Sequence, residues 1–210
     1  MSSSITTIQA RKQQLRRELR RRRRALTPRQ QQQAALALYR RVVTSNLFRF
    51  SRRLAFTLAR DGEISSERLL HEAVRRGKRC YLPVMRQSSN THLSFREWRR
   101  GARLRKGRFG ILEPHLGRLG APYALDVVFM PLVGFDARCN RLGMGRAYYD
   151  NTFAFLRRTQ RARPALVGLA HDCQRVDQLA LAPWDVPLCA IATDRAWYHP
   201  AATDAPEKLP

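Results

Sequence analysis

Apolar residues recur along the chain with two different spacings, and these predict helices first and alternating strands and helices afterwards. Apolar residues that recur on one face of a 3.6-residue turn are typical of a helix. They predict a basic helix over residues 8–26 and a second helix that begins at Pro28. The inward faces are Ile8, Leu15, Leu19 and Leu26 in the first helix, and Ala35, Leu38 and Val42 in the second. Thr27 can cap the second helix, and Gln30 completes a capping box.

Short apolar runs that end at Gly, Pro or Asp predict strands in the rest of the chain. The predicted strands cover residues 53–58, 79–84, 93–95, 126–132, 165–170 and 188–192. One helix is predicted from Ser65 or Ser66 through Arg76, and another from about Arg146 to Arg158. Segment 99–122 is rich in Gly and Pro and is expected to be a loop.

The alternation of strands and helices predicts one α/β domain over residues 1–200, with a largely parallel sheet covered on both faces. The basic helix over residues 8–26 is expected to pack on this domain. Residues 201–210 are expected to form a disordered tail. Ligands of such sheets bind at the carboxyl ends of the strands, so candidate chemistry is sought there.

The net charge of +24 invites a nucleic-acid interpretation. All but four of the 40 basic residues are arginine, and they are spread along the whole chain rather than gathered in one arm. Segment 11–24 holds nine basic residues but no Phe, Tyr or Trp on which a base could stack. A compositional bias toward arginine explains the charge better, so no nucleic-acid partner is expected.

The remaining composition is that of a folded protein of the cytoplasm. The hydrophobic fraction is 44%, and no apolar stretch approaches the ~18 residues that a membrane span requires. The first residues lack the apolar core of a secretory signal. The four cysteines, Cys80, Cys139, Cys173 and Cys189, are scattered and contain no C-x-x-C pair, which predicts reduced thiols rather than a disulfide or zinc framework.

The run Arg141-Leu142-Gly143-Met144-Gly145-Arg146-Ala147-Tyr148-Tyr149-Asp150 is the strongest candidate for chemistry. A glycine-containing loop between a strand and a helix lets backbone N–H groups approach a phosphate, and Arg141 and Arg146 add positive charge. The run matches neither the Walker A pattern nor a dinucleotide fingerprint. On its own, G-x-G is also compatible with an ordinary tight turn.

Other polar residues have both a functional and a structural interpretation. Lys12 and Arg16 share a helix face and can clamp phosphate, although spacing alone favours two ordinary surface cations. Asp150 and Asp185 can bind Mg²⁺, or can cap a helix and close a turn. Glu63 can orient a ligand amine or favour the start of the next helix. A catalytic pair of His171 with Cys173 is disfavoured, because near neighbours in sequence point in different directions.

Several ordered segments together resemble the 5-formyltetrahydrofolate cyclo-ligase family, also called 5,10-methenyltetrahydrofolate synthetases. The family run R-L-G-x-G-x-G-Y-Y-D matches Arg141–Asp150, and the preceding P-L-[VA]-x-F-D matches Pro131–Asp136. The N-terminal K-x-x-L-R matches Lys12–Arg16. Further matches are Gly62-Glu63-Ile64, Gly77-Lys78-Arg79 with Leu82-Pro83, Ile111-Leu112-Glu113-Pro114 and Trp184-Asp185-Val186-Pro187.

The resemblance implies a three-layer α/β/α fold and a monomeric ligase. Its reaction closes 5-formyltetrahydrofolate to 5,10-methenyltetrahydrofolate with ATP and Mg²⁺: the formyl oxygen is phosphorylated, N10 attacks the activated carbon, and phosphate leaves. By position, ATP would be bound by Lys12, Arg16, Arg141, Leu142, Gly143, Met144, Gly145, Arg146, Ala147, Tyr148 and Tyr149. Folate would contact Leu58, Glu63 and Tyr148, Mg²⁺ would lie on Asp150 and Asp185, and Arg146 and Tyr148 would serve catalysis.

The chain departs from the family pattern where backbone conformation matters. Ala147 replaces the third glycine of the loop, Cys139 stands where a turn glycine is common, and Arg146 replaces a frequent Gly or Lys. If residue 147 has a positive φ, alanine costs roughly 1 kcal/mol there. Two alternatives to the ligase therefore remain: a nucleotide-binding homologue that has lost turnover, and a basic RNA-binding protein.

Overall fold

A computed structural model describes residues 2–85, 91–157 and 163–200, so the expected tail at 201–210 lies outside the described residues. The helices are α1 (Ser2–Arg24), α2 (Pro28–Val43), α3 (Asn46–Phe50), α4 (Glu67–Arg75) and α5 (Tyr148–Thr152). The strands are β1 (Arg53–Ala55), β2 (Arg79–Met85), β3 (Leu93–Trp98), β4 (Leu104–Lys106), β5 (Leu112–Pro114), β6 (Leu119–Gly120), β7 (Val127–Pro131), β8 (Gly134–Phe135), β9 (Arg141–Leu142), β10 (Ala165–Ala170), β11 (Ala190–Thr193) and β12 (Trp197–Tyr198).

One eight-stranded sheet runs through the molecule in the order β12-β11-β10-β7-β1-β2-β3-β6. Its five central strands, from β11 to β2, are parallel, and the strands beyond them pair antiparallel. The prediction of a largely parallel α/β sheet is therefore confirmed. The carboxyl ends of the central strands meet at one edge, which is where ligands bind in such folds.

Strand β7 shows why the centre of the sheet reads as a continuous apolar run. Successive side chains of a strand point to opposite faces, so Val127 and Phe129 enter one core, while Val128 and Met130 enter the other. All four are at most 1% exposed, as expected for a parallel strand covered on both sides. Helices α2 and α4 cover the first face, and α5 with the following 3₁₀ turn covers the second.

Helix α1 packs on the segments that follow the carboxyl ends of β7 and β10. Its Leu19 is fully buried against Val133, Leu142 and Leu179. The capping box predicted for α2 is present: the Gln30 N–H donates to the Thr27 hydroxyl, and the Gln30 side chain accepts from the Thr27 N–H. No helix in the described part of the chain is both long and apolar enough to cross a membrane.

Three local predictions need correction. The helix expected over residues 146–158 is the five-residue α5 followed by a 3₁₀ turn at Ala154–Arg157. Segment 99–122 is not only loop, because it contains β4, β5 and β6. Of the two serines predicted to begin α4, the Ser65 hydroxyl accepts the Glu67 N–H, whereas the Ser66 hydroxyl does not cap the helix and donates to the Thr57 carbonyl. The first two errors share a cause: elements of two to five residues are fixed by pairing and packing rather than by periodicity.

Candidate active site

The loop after β7 is held by one buried carboxylate. Asp136 is 1% exposed and accepts the N–H groups of Arg138, Asn140 and Leu179, as well as the Asn140 side-chain amide. These bonds fix a turn in which Cys139 has a φ of +63°. The turn returns the chain through the β8–β9 hairpin, so the glycine-containing run begins directly beside the carboxyl end of β7.

The glycine-containing run has a left-handed backbone at two positions. Gly145 has a φ of +93°, which favours glycine, and Ala147 has a φ of +51° and a ψ of +20° immediately before α5. Residue 147, where the family has its third glycine, therefore has the positive φ at which alanine is strained, a conformation that L-residues rarely adopt. The two departures at positions 139 and 147 are both residues with positive φ.

Two cations of α1 reach this run and the nearby aspartate turn. The Arg16 Nε–H donates to the Gly143 carbonyl at 2.8 Å, and its guanidinium lies 3.5 Å from where a Cβ on Gly145 would be. Lys12 Nζ lies 3.9 Å from Asp185 Oδ2. Burial lowers the pKa of Arg16, and Asp185 opposes that shift. Lys12 and Arg16 are thus half-buried side chains that contact Asp185 and the glycine-containing run.

The two candidate Mg²⁺ ligands lie on adjoining segments. Asp150, in the first turn of α5, forms an ion pair with Arg141 and accepts the Val186 N–H at 3.2 Å. Asp185 immediately precedes Val186, and it also closes a local turn by accepting the Ala182 N–H at 2.8 Å. The structure therefore brings the glycine-containing run and the late aspartate turn together, although they are distant in sequence.

This carboxylate pair fits Mg²⁺ in one defined way. Within residues 2–85, 91–157 and 163–200, no group of three or more His, Cys, Asp or Glu side chains could hold a metal ion. Mg²⁺ commonly uses one or two carboxylates and completes its coordination with water and substrate phosphates. Asp150 and Asp185 match that donor set, with the cations Lys12, Arg16 and Arg141 around them.

Glu63 lies on the turn that follows β1, at the same edge of the sheet. One of its oxygens, Oε2, accepts the Arg60 N–H, and the other, Oε1, lies 3.6 Å from Arg23 Nη2. Burial raises the pKa of Glu63, and the positive charge of Arg23 opposes the shift. The Glu63 side chain is 11% exposed, so it is a largely buried acceptor.

The tyrosines of the run pack at the rim of the second core. Tyr148 and Tyr149 are half-buried against the second core, and the Tyr149 ring lies 5.9 Å from the Arg141 guanidinium carbon. Burial raises the pKa of the Tyr149 phenol, the negative charge of Glu63 adds to the shift, and Arg141 opposes it.

The remaining predicted residues are distributed around this centre. Leu142 is buried beneath the loop, while Met144 and Arg146 are exposed at its tip. Leu58 is half-buried at the edge of the first core, in the segment after β1. His171 is buried and Cys173 is exposed, and burial raises the pKa of the Cys173 thiol. A raised thiol pKa disfavours the nucleophilic thiolate, so it also disfavours a catalytic pair of His171 with Cys173.

Sequence reasoning missed Arg23 and Asp61, which support the Glu63 turn. Arg23 is hidden in a run of five arginines, yet it is 0% exposed. Helical spacing contained the signal, because Leu15, Leu19 and Arg23 are each four residues apart and share one face of α1. Leu26, assigned to that face from the sequence, lies beyond the end of the helix.

The fold and site define an α/β protein with a basic, glycine-containing loop and two carboxylates at the carboxyl edge of its sheet. Residues 8–194 match the model of the 5-formyltetrahydrofolate cyclo-ligase family, and the chain belongs to that family.

Named relatives and solved structures are similar over most of the chain. The 5-formyltetrahydrofolate cyclo-ligase of Escherichia coli K12 is 40% identical over 147 residues, covering 69% of this chain and 79% of the relative. The Mus musculus protein of the same name is 29% identical, covering 86% of this chain and 92% of its own. The Aquifex aeolicus 5,10-methenyltetrahydrofolate synthetase structure superposes with a TM-score of 0.78 at 25% identity, covering 95% of this chain and 96% of that one.

Proposed function

We propose that this protein is an enzyme that converts 5-formyltetrahydrofolate to 5,10-methenyltetrahydrofolate with consumption of ATP. Family membership supports the reaction class. The observation that carries the proposal is spatial: the glycine-containing run, the α1 cations, the Asp150–Asp185 pair and the Glu63 turn lie along one edge of the sheet. Such an arrangement can hold a nucleotide beside a second substrate.

ATP would be held by α1 and the loop together. Lys12 and Arg16 would neutralise phosphate oxygens from one side, and Arg141 would do so from the other, while the glycines leave backbone N–H groups accessible. Arg16 is already oriented by its bond to the Gly143 carbonyl. Phosphoryl transfer depends mainly on positioning and charge neutralisation, which are the two properties that these residues supply.

Mg²⁺ would be held by Asp150 and Asp185 with the help of substrate phosphates, and when bound it would neutralise charge that develops on the transferred phosphoryl group. Arg141 holds Asp150 in place, and Lys12 lies against Asp185. Both aspartates are therefore oriented before any ligand enters, which reduces the reorganisation needed for binding.

The folate would lie between Leu58, Glu63 and Tyr148. Leu58 and Tyr148 offer apolar surface at the rims of the two cores, and Glu63 offers a carboxylate to an N–H donor of the pteridine ring. The formyl oxygen would then face the ATP loop, with Arg146 at the tip to neutralise the transferring phosphoryl group. Phosphoryl transfer to the formyl oxygen would yield ADP, and ring closure would then form the bond between N10 and the formyl carbon and release phosphate.

The proposal is tested by supplying 5-formyltetrahydrofolate and Mg-ATP and following the absorbance of the methenyl product. We expect ATP-dependent turnover that falls at least ~100-fold in Asp150→Asn. The matched control is Asp177→Asn, an exposed aspartate outside the site, which should retain activity. Absence of product from folded protein, or an Asp150→Asn variant as active as the control, would contradict the proposal.

A second candidate is a homologue that binds ATP but does not turn over. The left-handed Ala147 favours it, because strain at that residue can displace the loop. This candidate predicts ATP binding by calorimetry, no methenyl product, and recovery of turnover in Ala147→Gly.

We also propose that the protein is a monomeric enzyme of the cytoplasm without a nucleic-acid partner. Light scattering tests the monomer, fractionation tests the location, and titration with RNA at several salt concentrations tests for a nucleic-acid partner.

A further inference from the structure

The most unusual charged residue outside the proposed ligand contacts is Arg23. Its side chain is completely buried in the last turns of α1, whereas its neighbours Arg22 and Arg24 are exposed. Burial of a guanidinium is costly unless hydrogen bonds and a counter-charge compensate for the lost hydration. The contacts of Arg23 therefore indicate what the chain gains from burying it.

Those contacts join three separate parts of the molecule. The Nε–H donates to the Asp61 carbonyl at 2.9 Å, Nη2 donates to Asp61 Oδ2 at 2.9 Å, and Nη1 donates to the Leu132 carbonyl at 3.2 Å. Asp61 belongs to the turn after β1, and Leu132 directly follows β7. The planar fork of one arginine thus ties α1 to the carboxyl ends of two adjacent strands.

The backbone of Arg23 holds the same turn from the other side. Gln31 Nε2 donates to the carbonyls of both Arg23 and Gly62. A Cβ on Gly62 would lie 3.1 Å from the Arg23 carbonyl oxygen, so the turn fits tightly against the helix. Asp61 and Gly62 both have positive φ, at +55° and +74°, and this packing keeps them in that conformation.

Glu63 is the next residue after this clamped turn, and Arg23 Nη2 lies 3.6 Å from its Oε1. This distance is too long for a hydrogen bond but close enough for strong charge attraction in a buried site. The positive charge of Arg23 thus favours the ionised Glu63 carboxylate without a direct hydrogen bond to it.

We propose that Arg23 is a positioning residue, which fixes the Asp61-Gly62-Glu63 turn relative to the end of β7. It thereby sets the spacing between the Glu63 carboxylate, which would contact the folate, and the ATP loop. The inference rests on the proposed function in one respect, namely that Glu63 contacts the folate. Arg23 itself touches neither substrate. Its effect on folate binding would pass through the turn that carries Glu63.

Steady-state kinetics of Arg23→Gln provide the test. We expect the KM for 5-formyltetrahydrofolate to rise by about tenfold or more, because displacement of a binding group by an ångström is costly. The KM for ATP should stay within about twofold, because Lys12 and Arg16 lie further back on α1 and keep their contacts. A purely structural role would raise both constants together, and that result would overturn the inference.

Two further variants define the mechanism. Arg24→Gln removes another cation from Asp61 but none near Glu63, so it should leave the folate KM unchanged. Arg23→Lys keeps the charge, but its three donors lie on one nitrogen and cannot reproduce the planar fork that reaches Asp61 and Leu132 together, so it should restore only part of the affinity. If Arg23→Gln does not fold, comparison of Arg23→Lys with Arg24→Gln decides the question, and equal folate KM values would refute it.

A double-mutant cycle with Glu63→Gln is the most direct experiment. If Arg23 acts through Glu63, replacing Arg23 in the Glu63→Gln background should change the folate KM little further, whereas additive effects would overturn the inference. Folate binding is also measured without ATP, from quenching of the protein fluorescence. If folate binding requires Arg23 but no product forms, the proposed function is refuted and this inference stands. If turnover is unaffected by replacement of Arg23, this inference is refuted and the proposed function stands. A wild-type protein that neither binds nor converts folate would refute both.

Discussion

The left-handed backbone at Ala147 leads to a quantitative prediction for Ala147→Gly. With φ +51° and ψ +20°, Ala147 has a left-handed backbone, in which the Cβ of an L-residue lies too close to the following carbonyl oxygen. This conformation costs an L-residue about 1–2 kcal/mol, while glycine adopts it freely. The substitution removes only one methyl group from a half-buried position, so little packing is lost.

The gain in the folded state is partly offset in the unfolded state. Glycine makes the unfolded chain more flexible, which costs about 0.4–1 kcal/mol of stability. We therefore expect Ala147→Gly to increase the free energy of unfolding by about 0.5–1 kcal/mol. For a chain of this length, this corresponds to a rise in Tm of about 1–4 °C.

The assay is thermal unfolding followed by circular dichroism, with urea titration as an independent measure of the free energy of unfolding. The matched control is Ala37→Gly, which makes the same change in the interior of α2, where the backbone is right-handed. There glycine should lower the free energy of unfolding by about 1 kcal/mol. The two variants should therefore shift Tm in opposite directions.

A shift of the same sign in both variants would refute the reasoning. It would mean that the strain at Ala147 is smaller than the entropic cost of glycine, so that the loop is relaxed with alanine. Turnover measured alongside separates stability from function. The ligase interpretation expects activity in both the wild-type protein and the Ala147→Gly variant, whereas the binding-only homologue expects activity in the variant alone.

Three further predictions concern the charge of Asp61, the backbone of Gly62 and the proposed Mg²⁺ ligand Asp185. Burial raises the pKa of Asp61, but Arg20, Arg24 and Arg23 outweigh it and lower the pKa to about 2. Asp61 therefore stabilises the fold above the usual aspartate pKa, and this stability should be lost as pH falls toward 2; acid titration of Asp61→Asn should lack that contribution. Gly62→Ala should lower the free energy of unfolding by at least ~1 kcal/mol, because φ is +74° and the new Cβ meets the Arg23 carbonyl. Urea unfolding measures this change, and an unchanged midpoint would contradict tight packing of the Asp61-Gly62-Glu63 turn against Arg23. Asp185→Asn should raise the Mg²⁺ concentration for half-maximal activity by about 10-fold or more, and an unchanged Mg²⁺ titration would remove Asp185 from the metal site.

Much of the fold was predictable because long periodic segments carry their own signal. The second helix was located from its capping box, and the central strand was located from a run of apolar residues that both faces of the sheet bury. The short elements were not predictable. Strands β4, β5 and β6 and the five-residue α5 exist because partners elsewhere in the chain pair with them or cover them.

The candidate site divides in the same way. The sequence identified the glycine-containing run, the two aspartates and Glu63, because their residue types and order match one family. It could not decide whether Lys12 and Arg16 were site residues or surface charges, since forty basic residues look alike without burial. The contacts with Gly143 and Asp185 place both side chains beside the glycine-containing run and support the first interpretation.

The sequence by itself thus determined the α/β class, the family and the residue types that phosphate and carboxylate chemistry require. Only the tertiary structure decided which arginine is buried, that Ala147 is left-handed, and that Asp150 and Asp185 lie on adjoining segments. The physical reason is the separation along the sequence of the residues that interact. Periodicity and capping act between residues a few positions apart, whereas the desolvation of Arg23 and its bonds to Asp61 and Leu132 depend on segments that folding alone brings together.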